Sequence, residues 1–151
     1  MHDYQVLQSI EKYDALADTW NTMYFKLPRP MAKLGAVVCD EPEGILIAGG
    51  MNKDFEPTSD VFFLRFNTLE WTERMSMFAP RLTSSGLVFS RNDEGAFVYA
   101  VGGSKTKDCE RYNVKDDFWE VIPNFKEKVD QDIGGKNNCL FTYGVCATSI
   151  L

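Results

Sequence analysis

Arg29 and Arg81 are the side chains best suited to gripping another molecule. Each follows a proline, in Pro28-Arg29 and Pro80-Arg81, at positions nine and ten after a tryptophan. A guanidinium offers a planar fork of N–H donors that matches a carboxylate, so a pair of them could clamp an acidic partner. The competing expectation is that each arginine is spent on neighbouring backbone carbonyls. Two polar stretches add candidate contacts: Asn52, Lys53, Asp54, Phe55 and Glu56, with an aromatic ring flanked by charges, and Lys105 and Lys107 in SKTKD. Catalytic and metal chemistry find less. The single histidine, His2, stands at the terminus, so no internal imidazole is available for a Ser-His-Asp relay, a Cys-His pair or a His-ligated metal. Cys39, Cys109, Cys139 and Cys146 are widely spaced with no C-x-x-C, which reads as free thiols in a reducing compartment. No catalytic residue, metal ligand or cofactor is assigned.

The elements that would position these residues come from the chain as a whole. At 151 residues, 44% hydrophobic and 25% charged, the composition is that of a folded domain and not of a disordered chain. The net charge of −6 disfavours sequence-blind attachment to a phosphate backbone, so nucleic acid is not an expected partner. No apolar stretch approaches the ~18 to 20 residues of a membrane span, and the start lacks the pattern of a signal peptide. A cytoplasmic protein is expected.

Three markers recur in constant order. YDALADTW ends at Trp20, LRFNTLEW at Trp71 and YNVKDDFW at Trp119, at intervals of 51 and 48 residues. The apolar runs ILIAGG and FVYAVGG end in Gly49-Gly50 and Gly102-Gly103, 53 residues apart. Pro-Arg is the third. Runs this short, apolar at nearly every position and closed by turn residues, predict strands buried on both faces, and the double glycines permit positive φ at a crowded strand end. Further strands are predicted over Ala32 to Cys39, Thr83 to Ser90, Asp60 to Phe66 and Cys109 to Asn113, besides the Trp-bearing runs. No segment keeps helical periodicity over three turns, so the class is all-β. A period near 50 with four strands per unit belongs to propeller blades.

The order of Pro-Arg, apolar strand, strand ending in Gly-Gly, then Tyr-Asp and Trp resembles the kelch repeat over about Gln8 to Pro123. IEKYDALADTW and ERYNVKDDFW come closest, while the middle unit carries Leu64-Arg65-Phe66-Asn67 where Tyr-Asp is usual. The resemblance implies four-stranded antiparallel blades of a kelch-type β-propeller, with Trp20, Trp71 and Trp119 packing between blades and Gly49, Gly50, Gly102 and Gly103 structural. It implies a non-enzymatic protein-interaction or scaffold module, with a cytoskeletal or ciliary complex as a plausible setting. A substrate-recognition arm of a cullin-type ubiquitin ligase is the alternative. A kelch-type copper oxidase fragment is remote, because its centre needs histidine ligands.

Parsed by these markers, the chain holds a half blade at 8–23, blades at 32–77 and 83–122, and one or two strands at 135–151. That is about three blades, whereas propellers close with 4 to 8. The expectation is an incomplete ring: a fragment, a short subunit completed by another copy or another propeller segment, or an open arc covered by an assembly.

Overall fold

Short apolar runs joined by two-residue turns hydrogen-bond to their sequence neighbours, and a meander of antiparallel strands follows. The computed structural model describes residues 5–82, 86–103 and 108–123. Among them β1 (Glu11–Asp14) pairs only with β2 (Thr19–Thr22). A second sheet has the order β3 (Gly35–Asp40), β4 (Glu43–Ala48), β5 (Val61–Arg65), β6 (Trp71–Arg74). A third repeats that order with β7 (Leu87–Asn92), β8 (Gly95–Val101), β9 (Cys109–Asn113) and β10 (Phe118–Ile122). Every pairing is antiparallel. The described chain contains no helix, so the all-β expectation holds, and its sheets do not close on one another.

The two larger sheets share one register. Gly44 faces Arg65 and Ala48 faces Val61 in one, while Phe97 faces Asn113 and Val101 faces Cys109 in the other. Their differences are confined to the connections. The first hairpin turns after the pair Asp40 and Glu43, whereas the second adds a further pair, Asn92 and Gly95, before turning. The loop from the double glycine to the third strand is the longer one in the first unit. Insertions and deletions are thus absorbed at hairpin ends and in loops and leave the register of the ladders unchanged.

The main core lies between these sheets. Leu46, Ala48, Val61 and Phe63 meet Val98, Ala100, Tyr112 and Trp119, with Cys39, Met77, Ala96 and Val114 completing the cluster. Successive residues of a strand point to opposite faces, so Ile47 and Phe62 look the other way and pack with Met31, Leu27, Leu34 and Trp71. β4 and β5 are therefore buried on both faces, as their continuous apolar runs require.

Two expectations need correction. The strand predicted from Ala32 begins at Gly35: Lys33 takes φ 52°, which breaks extended backbone, and Ala32 instead makes an isolated bridge to Met51. Trp20, expected between sheets, is 68% exposed, because no described sheet precedes β1 to cover it. Thr83 and the strands expected at 135–151 lie outside the described residues.

Candidate functional site

The two Pro-Arg markers diverge. Arg29 stays at the surface, its guanidinium 4.9 Å from the centre of the Phe62 ring, and donates to Asp60 Oδ2 at 3.1 Å and Glu73 Oε1 at 3.3 Å. Arg81 is fully buried. Its Nη1 donates to the carbonyls of Gly102 at 2.9 Å and Asp108 at 2.7 Å, and its Nη2 to Glu110 Oε1. Glu110, equally buried, also accepts from the backbone N–H of Phe78 at 2.8 Å and of Ala79 at 3.3 Å. The arginine's own N–H donates to Thr58 and its carbonyl accepts from Gly50 at 2.8 Å. Arg81 therefore joins the second and third sheets from within and presents no surface to a partner, which removes it from the candidate contacts.

The register explains the difference. Phe62 and Glu110 occupy equivalent positions in β5 and β9, 48 residues apart. A ring there leaves its arginine outside, and a carboxylate draws its arginine in. Glu110 was missed by sequence reasoning, though its signal was present as a lone carboxylate in a strand otherwise aligned with VFFL.

The Asn52–Glu56 loop is pinned rather than loose. The Asn52 side-chain oxygen accepts from the N–H of Asp54 at 2.8 Å and of Glu56 at 3.0 Å, and its N–H donates to the Glu56 carbonyl at 3.0 Å. Met51 and Pro57 bridge at its base. Phe55, at φ 62°, is held outward and 55% exposed, with Lys53, Asp54 and Glu56 exposed around it. An aromatic on a loop braced by its own hydrogen bonds can be buried by a partner at little entropic cost. Lys105 and Lys107 lie outside the described residues.

The remaining markers are structural in their surroundings. Gly49, Gly50, Gly102 and Gly103 all take positive φ, and a Cβ on Gly50 would meet the Ala32 carbonyl oxygen at 2.5 Å. Trp71 Nε1 donates to the Lys26 carbonyl at 2.9 Å, and Trp119 Nε1 to the Met75 carbonyl at 2.8 Å. Each indole thus stitches its own sheet to the segment before it. Burial pushes the Cys39 thiol up to about 12, with Asp40 adding to the effect, so it stays protonated near neutral pH and is no nucleophile. Among the described residues no group of three or more His, Cys, Asp or Glu could hold a metal ion.

No family model and no curated protein matches the chain. Among solved structures, that of YjhT is similar with a TM-score of 0.62 at 12% identity. The match covers 80% of this chain but 44% of that one, so the chain spans less than half the length of YjhT. At this identity the likeness speaks for the all-β fold alone.

Proposed function

We propose that the chain is an arc of a kelch-type β-propeller and serves as a non-enzymatic protein-interaction scaffold in a cytoplasmic, cytoskeletal or ciliary assembly. The observation that carries this reading is the repeated stitch between units. Two four-stranded meanders of one register pack face to face, and each outer-strand tryptophan donates to the segment before it. The β1–β2 pair, with Trp20 on its second strand, has the markers of the outer half of a third such unit. Completing that unit and the ring falls to other strands, from another copy or another propeller segment.

On such a frame, binding belongs to the loops. The braced Asn52–Glu56 loop, with Phe55 outward, is the proposed contact, and Arg29 lies on the surface with its two carboxylates. The test compares the wild-type chain with a variant carrying Phe55→Ala and Lys53→Glu, both immobilised at matched melting temperature. A protein retained from cell extract by the wild type and lost by the variant is the expected result. Retention by both, or by neither, overturns the assignment.

A further inference from the structure

The turn after the third strand of each unit carries one anomaly. In the outer units its polar residues are consumed locally. Asp14 accepts from the N–H of Leu16 and Ala17, and Asn113 from the N–H of Lys115 and Asp116. Tyr13 and Tyr112 donate to Asp18 and Asp117, at 2.5 and 2.6 Å. The middle unit has Arg65 where the others have the capping Asp14 and Asn113, and Leu64 and Leu69 replace the tyrosine and aspartate. A guanidinium accepts no hydrogen bond, so Arg65 cannot cap this turn. Its side chain finds no other partner among the described residues and lines a cleft between the two larger sheets.

That cleft, of about 630 Å³, opens at the hairpin ends of the sheets, away from the Asn52–Glu56 loop. Lys115 lines it from the third sheet, exposed and without a side-chain partner among the described residues. Arg74 lines it too, its guanidinium 5.7 Å from the centre of the Phe63 ring and 3.9 Å from Asp117 Oδ2. The Glu41 carboxylate at its rim is already committed, for Arg91 holds it at 2.8 Å and the neighbouring Asp40 at 2.7 Å. The largely buried Ala96 and Val114 contribute apolar lining. In a chain of net charge −6, uncompensated cations gathered at one cleft make a local well of positive potential.

We propose that this cleft binds an oxyanion, a carboxylate or phosphate group carried by a small ligand, gripped by Arg65 and Lys115 with Arg74 behind them. The site is independent of the partner-binding loop. Calorimetric titration of the full chain with pyrophosphate in one arm and citrate in the other identifies the anion. The expected result is saturable binding in at least one arm, weakening as salt is raised. Arg65→Gln with Lys115→Gln should then weaken it by at least about fivefold. Lys26→Gln with Lys33→Gln, which removes two exposed cations elsewhere, should leave it unchanged. Absence of binding in both arms overturns the proposal, as does equal weakening by the two double variants.

Discussion

Arg81 and Glu110 illustrate how one residue type meets two fates. Both arginines follow a proline and stand at the same place in the repeat, yet Arg29 is at the surface and Arg81 has none. What decides is the residue 48 positions apart on the facing strand, Phe62 or Glu110, and that becomes legible only once the strands are in register. A buried ion pair is weak evidence of net stabilisation, because desolvation offsets the attraction, but breaking one strands a charge. Arg81→Ala leaves the Glu110 carboxylate with two backbone donors and should cost about 3 to 5 kcal/mol in denaturant unfolding. Replacing both partners, as Arg81→Met with Glu110→Leu, should cost clearly less than Arg81→Ala alone. A loss below about 1 kcal/mol for Arg81→Ala would show that the pair is not a clamp.

At the scale of elements, the ladders were more legible than their ends. Continuous apolar runs and double glycines identified β4 and β8, and the tryptophans marked β2, β6 and β10, because burial on both faces leaves a plain pattern. The start of β3 was not legible: a lysine at positive φ carries no sequence signal, since glycine or asparagine would be the usual occupant. The tryptophans also separate by context. Trp119 is 4% exposed and donates across to Met75, while Trp20 lies against Tyr13 with ring centres 5.2 Å apart and is otherwise open. Trp119→Ala should therefore cost about 3 to 5 kcal/mol and Trp20→Ala under about 1 kcal/mol in the isolated chain. Equal losses in thermal or denaturant unfolding would contradict the stitch between sheets. The loop contacts were partly legible, since Phe55 among charges is visible in sequence, but the Asn52 bonds that brace it depend on folded geometry.

For the whole molecule, the first unit differs from the other two in the strands that flank it. Among the described residues β1 pairs with β2 alone, whereas its counterparts β5 and β9 each have strands on both sides. Alongside this pair runs an apolar groove of about 700 Å³, lined by Tyr13, Trp20, Ile45, Ile47, Leu64 and Trp71. An open strand edge beside exposed aromatics is unfavourable in water and invites pairing. In the reading where another copy supplies the strands that complete the proposed arc, the most direct measurement is the mass of the purified, folded chain by light scattering. The account predicts particles of two or more chains, each of 17.2 kDa, with the fraction assembled rising with concentration. A monodisperse, cooperatively unfolding species at the mass of one chain would contradict completion of the ring by another copy.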